Sequence, residues 1–346
     1  MIFGKIKKSE NAIPSAVIGT GYLGKFHAQK YARLPQAELV AVVDSCEEHR
    51  ERAAKECRCL PVDDYRKLPD LGVRCASVVT PTSTHFEVAS WCLQNGIDVL
   101  LEKPMTVEVS QAQQLVHLAN KHKRILQVGH LERFNPAFRA MQQVLDRPRF
   151  FEVRRIAEFT GRGADVDVVL DLMIHDIDIV CHLVGRPVVR LEAIGVPVLT
   201  GSVDVANARI TFEGGAIANF TASRAAFKSE RSIRVFQPDC YLSLDYGKKK
   251  LKIYKRAGGV DLRGFPSIDV TEIPVEERDA LEHEIASFLD AVETRRVPEV
   301  SGADGVQAME LAQLIRDKFK ESLDAIATDL GTAVLKPGEF LKMGNA

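Results

Sequence analysis

The fold is decided by the stretch Ala16-Val17-Ile18-Gly19-Thr20-Gly21-Tyr22-Leu23-Gly24. A short apolar run leads into G-x-G-x-x-G, a helical pattern follows, and Asp44 comes 20 residues after the last glycine. This order of strand, glycine-rich turn, helix and acid is the one that a dinucleotide-binding βαβ unit requires. The sequence therefore predicts that a dinucleotide binds at this turn.

Each glycine of the motif has a separate steric task. Gly19 lets the chain turn sharply out of the strand, and Gly21, which has no Cβ, lets the backbone approach a pyrophosphate. Gly24 lets the new helix pack closely on the sheet. Around Tyr22 and Leu23 the helix begins, and its unpaired N–H groups and positive dipole end favour phosphate. We expect all five of these residues to bind the cofactor.

Asp44 indicates which nicotinamide cofactor is bound. A carboxylate at the end of the second strand accepts hydrogen bonds from the adenosine ribose and repels a 2′-phosphate. No arginine follows it, only Ser45 and Cys46. The fingerprint therefore favours NAD over NADP.

Bulk properties exclude several classes of protein. The chain has 346 residues, enough for about two domains, and a formal net charge of -1, which gives no reason to expect nucleic acid or a membrane surface as partner. No apolar run approaches the roughly 18 residues that span a bilayer. Residues 1–10 lack the apolar core of a signal peptide.

The chain has seven cysteines, an odd number, and no C-x-x-C pair. We therefore expect reduced thiols and a cytoplasmic location.

The order of the predicted elements indicates two domains of different class. Strands and helices alternate up to residue 129, which is typical of a doubly wound parallel sheet. After residue 149, strands follow one another with turns between them, and the fold class is an α/β N-terminal Rossmann domain plus an α+β C-terminal domain with a large, mainly antiparallel, open-faced sheet. We expect an NAD-binding domain at 12–135, a substrate-binding and oligomerisation domain at 136–325, and a tail at 326–346. The predicted strands are 15–19, 38–43, 75–80, 97–101, 125–128, 150–158, 188–198, 203–212, 216–223, 232–236, 240–245 and 249–254; the helices are 22–34, 47–56, 84–94 (with Thr84 as N-cap), 109–122, 172–184, 276–294 and 303–320.

Five motifs in order resemble the Gfo/Idh/MocA oxidoreductases, and together they cover about residues 15–320. The family likeness implies an NAD(P)-dependent dehydrogenase that acts on CH–OH groups. The motifs are Gly19–Gly24 with His27; Val79-Thr80-Pro81-Thr82-Ser83-Thr84-His85; Glu102-Lys103-Pro104; Asp171-Leu172-Met173-Ile174-His175-Asp176-Ile177-Asp178; and Glu284 with Phe288, Pro298–Gly302 and Asp304-Gly305. The resemblance also implies cofactor contacts from Thr80, Pro81, Thr82, His85, Glu102 and Lys103.

Lys103 is the first candidate catalytic residue. It follows a buried strand at the end where open α/β sheets bind ligands, and Pro104 biases it toward an extended backbone. The residues alone leave open an ordinary solvated lysine, whereas the resemblance implies a functional one. A lysine there can donate a hydrogen bond to the reacting oxygen and stabilise a developing alkoxide.

Asp171 and His175 are the second catalytic pair. Four residues apart, they share one face of a helix. Imidazole has an unperturbed pKa near neutrality, which suits proton transfer. The residues leave open a structural histidine, but the resemblance implies that His175 transfers a proton while Asp171 orients it. Asp178 and His182 lie further along the same helix face. Their spacing is not that of a zinc-binding motif, so no metal is expected. Whether Lys103 or His175 is the formal base stays open.

The segment Val128-Gly129-His130-Leu131-Glu132-Arg133-Phe134-Asn135-Pro136 narrows the substrate. It is similar to family members that act on nucleotide sugars, above all the UDP-N-acetylglucosamine 3-dehydrogenases of lipid A precursor synthesis. The resemblance implies oxidation at C3 of a UDP-sugar, with Arg133, Asn135 and His175 as substrate ligands. Two alternatives remain: an inositol or simple-sugar dehydrogenase, and a non-catalytic NAD-binding sensor.

A diphosphate needs cationic partners, and several arginines and lysines could supply them. The candidates besides Arg133 are Arg154, Arg155, Arg162, Arg224, Lys228 and Arg231. The second sheet also carries many apolar positions, Val203, Val205, Ile210, Phe212, Ile217 and Phe220 among them. Because some of these would lie on an open face, we expect a homodimer or homotetramer formed through this sheet.

Overall fold

The glycine-rich turn separates the first strand from the first helix, as the sequence predicts. The computed structural model describes residues 8–159, 166–260, 264–275 and 278–329. The strands are β1 (Ile13–Ile18), β2 (Ala37–Val43), β3 (Leu60–Val62), β4 (Cys75–Val78), β5 (Asp98–Glu102), β6 (Leu126–Gly129), β7 (Phe150–Glu158), β8 (Val188–Val196), β9 (Val205–Phe212), β10 (Ile217–Ala226), β11 (Glu230–Gln237), β12 (Cys240–Asp245), β13 (Lys250–Val260) and β14 (Pro266–Ile273). The α-helices are α1 (Gly24–Arg33), α2 (Glu47–Cys57), α3 (Thr82–Gln94), α4 (Val109–His122), α5 (Pro136–Gln142), α6 (Ile174–Val184), α7 (Ala280–Thr294) and α8 (Gly302–Asp329).

The first sheet has six strands in the order β3-β2-β1-β4-β5-β6, and every pair is parallel. Its central strands are apolar and buried on both faces, as helices on both sides of a parallel sheet require. The predicted Rossmann sheet is confirmed. The strand order reverses between β1 and β4, and at such a switch point the carboxyl ends of the strands form a ligand crevice.

Helix α7, which follows the second sheet in the sequence, belongs to this first unit. Contacts divide the chain into residues up to Phe134 with Asp279–Val306, and Asn135–Arg278 with the remainder. Along α7, Leu281, Ile285 and Phe288 form a buried stripe in the same core as Tyr31 of α1. The sequence-based boundary at residue 136 follows chain order and leaves α7 in the second domain, so it differs from this division. Most of the predicted tail, residues 330–346, lies outside the described residues.

The second unit contains an eight-stranded sheet in the order β14-β13-β12-β11-β7-β10-β9-β8. Its pairs are antiparallel except β7 with β10. The mainly antiparallel second sheet is therefore confirmed. One face is apolar and packs against α5 and α6.

The opposite face of this sheet carries only some of the apolar positions named in the sequence analysis. Ile210, Phe212 and Phe220 were expected to include open-face positions, but each is at most 1% exposed and lies on the covered face. Because side chains alternate along a strand, their neighbours form the open face, and these are largely polar. Val205 and Ile217 alternate with buried residues and do lie on the open face. That face also carries a row of rings in contact with one another, namely Phe150, Phe236, Tyr241 and Tyr254.

Local predictions failed at helix ends and in short elements. Helix α3 begins at Thr82, not Thr84, and the Thr84 hydroxyl donates to the Pro81 carbonyl instead of capping the helix. Helix α8 continues to Asp329 instead of ending at 320. The predicted start of α7 at 276 lies outside the described residues, and Asp279 caps the observed helix. No sequence signal identified β3, β14 or α5. No helix among the described residues is long and apolar enough to cross a membrane.

Gly24→Ala tests the close approach of α1 to the sheet. A Cβ at this position would lie 1.8 Å from the carbonyl oxygen of Gly19, so the backbone must shift. We expect a loss of about 3 kcal/mol in the free energy of unfolding, measured by urea denaturation. Gly21→Ala is the matched control, because its Cβ meets no atom within 4 Å and should change stability by less than about 1 kcal/mol. Equal losses in both variants would contradict this account.

Candidate active site

The glycine turn leaves space at one position only. Gly19 has φ +89°, and a Cβ there would lie 2.6 Å from the Val79 carbonyl oxygen, while Gly24 is closed by Gly19 itself. Gly21 faces open space, and Tyr22 and Leu23 beside it are exposed. Thus two glycines are needed for packing and the third leaves the backbone accessible. These features fit a bound dinucleotide with its pyrophosphate over Gly21.

Asp44 is held against this turn. One carboxylate oxygen accepts from the Thr20 backbone N–H at 2.7 Å and from the Thr20 hydroxyl at 3.0 Å, and the other accepts from the Cys46 N–H at 2.9 Å. The side chain is thereby fixed at the carboxyl end of β2. A fixed carboxylate in this place is suited to the two ribose hydroxyls of an adenosine.

His85 joins two loops at the same edge of the sheet. Its Nε2 lies 2.8 Å from the Thr80 carbonyl oxygen, and its Nδ1 lies 3.0 Å from the Pro104 carbonyl oxygen. Both partners only accept, so a neutral ring donates to one and an imidazolium donates to both. Burial lowers the pKa of His85, while these backbone hydrogen bonds oppose the shift. His85 therefore links the loop of Thr80, Pro81 and Thr82 to the turn after β5, and its cofactor contact remains a prediction.

Glu102 and Lys103 lie at the carboxyl end of β5. Glu102 is buried, and its Oε2 accepts the Lys103 backbone N–H at 3.2 Å. Because the strands are parallel, this turn lies on the same edge of the sheet as Gly21 and Asp44. The first unit thus collects the predicted cofactor residues and Lys103 at one edge.

In the second unit, Asp171 lies within a helix irregularity and His175 follows it in the first turn of α6. Asp171 is within a π-helical turn, Val169–Met173, which leads directly into α6. Such turns occur often at functional sites. Asp171 and His175 are both half-buried, whereas Asp176 and Asp178 are buried. The two predicted catalytic residues of this unit therefore share the more accessible side of the segment.

A buried ion pair fixes the helix that carries His175. Arg155 of β7 donates from Nε and Nη2 to the two carboxylate oxygens of Asp176, at 2.8 and 2.9 Å. Arg155 was a candidate phosphate ligand, but this bidentate pair commits it to α6. Arg224 is likewise committed to the buried Asp204, at 2.8 Å. Arg162 lies outside the described residues.

Arg133 and Asn135, the predicted substrate ligands, both have structural contacts. Arg133 is 3% exposed, and its Nη2 lies 3.4 Å from an Asp304 carboxylate oxygen. The Asn135 side chain accepts from the Ala137 N–H and caps α5. Their contact with substrate remains a prediction.

Sequence reasoning missed a buried cluster behind the Lys103 turn. His27 of α1, Glu102 of β5 and Glu284 of α7 each offer a ligand-type atom, and these atoms lie within 4.8 Å of one another. Among the described residues this is the single group of three donors close enough to hold a metal ion. Both His27 and Glu284 stood inside recognised motifs, but motif spacing gave no sign that they meet.

A parallel sheet with a glycine-rich turn at its switch point, and with Asp44 and the Glu102-Lys103 turn at the same edge, is the arrangement of a dinucleotide-binding protein. A model of the oxidoreductase family GFO/IDH/MocA, NAD-binding Rossmann fold, matches residues 13–130, and the model of the GFO/IDH/MocA C-terminal domain matches residues 139–239. The chain belongs to the GFO/IDH/MocA family. It is a dehydrogenase that acts on CH–OH groups, and NAD is its cofactor.

Relatives within the family differ in substrate. UDP-N-acetylglucosamine 3-dehydrogenase of Acidithiobacillus ferrooxidans is 37% identical over 87% of this chain and 96% of its own length. A crystal structure of that enzyme superposes with a TM-score of 0.83 over 89% of this chain and 97% of its own, at 36% identity. The scyllo-inositol 2-dehydrogenase (NAD(+)) of Bacillus subtilis is 30% identical over 63% of this chain and 69% of its own. The myo-inositol 2-dehydrogenase structure from Lactobacillus plantarum, with TM-score 0.74, covers 90% of this chain and 98% of its own at 19% identity, and shares the fold.

Asp176→Asn tests the buried ion pair. The change leaves the Arg155 charge buried with one weakened partner, so the free energy of unfolding should fall by about 3–5 kcal/mol. Glu192→Gln, which breaks an exposed pair with Arg190 on the same unit, is the control and should cost less than about 1 kcal/mol. Chemical denaturation measures both. A cost for Asp176→Asn as small as the control's would refute a stabilising role for the pair.

Proposed function

We propose that this enzyme oxidises a sugar hydroxyl of a UDP-sugar, at C3 of UDP-N-acetylglucosamine, in the supply of lipid A precursors. The observation that carries the proposal is the 37% identity, over nearly the full length of both chains, with an enzyme of that name. The segment Val128–Pro136 supports the same substrate class. A cytoplasmic location is part of the proposal, because all seven cysteines are free thiols.

We assign separate catalytic roles to Lys103, His175 and Asp171. NAD, when bound, supplies the hydride acceptor. We assign to Lys103 a hydrogen bond to the substrate oxygen, which stabilises negative charge as it develops. His175 takes the hydroxyl proton, and Asp171 orients that imidazole and tunes its charge. In the reverse direction the same groups protonate a ketone.

Lys103→Ala should separate catalysis from cofactor binding. Loss of the cationic donor is expected to lower kcat by at least about 100-fold, while the Kd for NAD, from calorimetry, changes far less because Lys103 is one of many predicted cofactor contacts. Reduced-nicotinamide absorbance is followed with UDP-N-acetylglucosamine, other UDP-sugars, inositols and free aldoses. Lys121→Ala, an exposed lysine of α4, is the control and should behave as the parent enzyme.

The panel also decides the substrate. Turnover of an inositol with none of any UDP-sugar would overturn the UDP-sugar proposal and favour the function named for the Bacillus subtilis relative. Near-normal activity of Lys103→Ala would overturn the role of that lysine. NAD binding without turnover of any compound would favour a sensor.

We further propose that two copies associate through the open face of the second sheet. The aromatic row on that face is partly exposed, with ring centroids of Tyr241 and Tyr254 4.3 Å apart. Ion pairs flank it, for example Arg154 with Glu230 and Arg234 with Glu152. An aromatic strip bordered by charges of both signs suits a self-complementary contact.

Tyr254→Glu should weaken this association. A carboxylate in the aromatic row would have to be desolvated in the interface, so the dimer Kd should rise by at least about 10-fold. Sedimentation velocity across a concentration series measures it. Arg52→Glu, an exposed change on α2 in the first unit, should leave the Kd as it was. A dimer that persists unchanged in Tyr254→Glu would exclude this face.

A further inference from the structure

The cluster of His27, Glu102 and Glu284 contains two buried carboxyl groups in unequal surroundings. His27 and Glu284 are 0% exposed, and Glu102 is 9% exposed. The three residues come from α1, β5 and α7, which tertiary packing alone brings together. When two carboxyl groups lie so near each other in a low dielectric, they do not both ionise readily.

Glu102 belongs to a continuous hydrogen-bond chain. His27 Nε2 lies 3.2 Å from Glu102 Oε1, and His27 Nδ1 lies 3.2 Å from the Ser77 hydroxyl, which is 3.0 Å from the Tyr31 hydroxyl. At its other end, Glu102 accepts the Lys103 N–H. Tyr31, at one end, is fully buried, and Glu102 at the other end is 9% exposed. These hydrogen bonds hold the side chains of α1, β4 and β5 in fixed positions relative to one another.

Glu284 is not part of this series of hydrogen bonds. Neither of its carboxyl oxygens has a hydrogen-bond partner among the described residues, although its backbone carbonyl accepts from the Gln127 side chain at 3.0 Å. Burial and then the charge of Glu102 raise the pKa of Glu284 well above its ordinary value. Burial acts to raise the pKa of Glu102 too, but the His27 hydrogen bond and the charges of His27 and Lys103 lower it. Glu102 therefore carries the charge and Glu284 carries the proton.

Other charged groups around α7 are already matched. Lys30 of α1 pairs with Asp279 and Glu282, Asp98 of β5 pairs with Arg295, and Arg133 pairs with Asp304. None of these partners is Glu284. Among the described residues, the titratable groups beside Glu284 are His27, Glu102 and the Tyr31 hydroxyl.

We propose that Glu284 is a positioning residue for the dehydrogenation: it is fully buried within 4.8 Å of Glu102 and has no hydrogen-bond donor among the described residues, so it stays uncharged and leaves Glu102 as the one carboxylate that holds His27 and the Lys103 turn. The proposal rests on the role proposed above for Lys103. Glu284 touches no reacting atom; it acts through Glu102, whose carboxylate holds the Lys103 backbone. With Glu284 neutral, Glu102 remains the one charged carboxylate and keeps His27 as its partner.

The first test is the pH dependence of stability in Glu284→Gln. A group with a raised folded pKa stabilises the fold fully below its unfolded value, 4.5 for glutamate, and this contribution is lost as pH rises toward the folded pKa. Gln is neutral throughout, so the Tm of Glu284→Gln minus that of the parent should grow by about 2–4 °C per pH unit above pH 5. Calorimetry at pH 5.5, 6.5, 7.5 and 8.5 measures the gap.

Glu293→Gln, an exposed change near the end of the same helix, is the control and should show a constant gap. A constant gap in Glu284→Gln as well would mean that Glu284 titrates as an ordinary carboxyl, and would overturn the proposal. So would a chelator such as EDTA that lowers the Tm of the parent but not of Glu284→Gln, because the cluster would then hold a metal ion. The Tm experiment needs no substrate, so its result stands even if no UDP-sugar is turned over.

The second test compares the pH dependence of kcat in the parent and in Glu284→Gln, on whichever sugar or inositol the enzyme oxidises. Gln is neutral and of similar length, so Glu102 remains the one charged carboxylate of the cluster at every pH. We expect Glu284→Gln to keep kcat within about threefold at pH 7. As the pH rises to 9 and Glu284 of the parent begins to ionise beside Glu102, the kcat of the parent should fall relative to that of Glu284→Gln, with little change in the KM for NAD. A ratio of the two kcat values that stays constant with pH would show that the neutral state of Glu284 has no part in catalysis.

Discussion

The close approach of α1 to the ends of β1 and β4 is the constraint on which the first unit depends. Gly24 and Gly19 meet backbone to backbone, where no side chain fits. This contact sets the start of the helix over the sheet. Gly21 is left facing open space. One turn further along α1, His27 lies within hydrogen-bond distance of Ser77 and Glu102. One steric requirement thus builds both the dinucleotide turn and the buried support of the Lys103 turn.

A second theme is the use of buried charge to fix catalytic segments. In the first unit the ionised Glu102 is held by His27 and the Lys103 N–H. In the second unit Asp176, adjacent to His175, is held bidentately by Arg155. A buried carboxylate is stable only with such partners. In each unit, therefore, the residue next to a proposed catalytic side chain is locked while the catalytic side chain itself remains more accessible.

The structure changes the role expected of two arginines in the second unit. Arg155 and Arg224 are possible phosphate ligands on sequence grounds alone, because a sequence does not show which cations are buried in ion pairs. In the folded chain both are buried against aspartates. Burial makes the ion pair obligatory, since an unpaired guanidinium there would be costly. Arg154, Lys228 and Arg231, three other candidates in the second unit, are exposed.

The Rossmann sheet and the dinucleotide turn with Asp44 could be predicted from the amino-acid sequence, because they depend on local periodicity and on glycines at fixed spacing. Five motifs in order indicated the family, and the position of Lys103 at a strand end was also predictable. Three features became visible in the folded chain alone: α7 joins the first unit, Ile210, Phe212 and Phe220 face inward, and Glu284 lies beside His27 and Glu102. These are contacts between residues far apart in the chain. No spacing encodes them, because they depend on how whole elements pack and on which charges that packing removes from water.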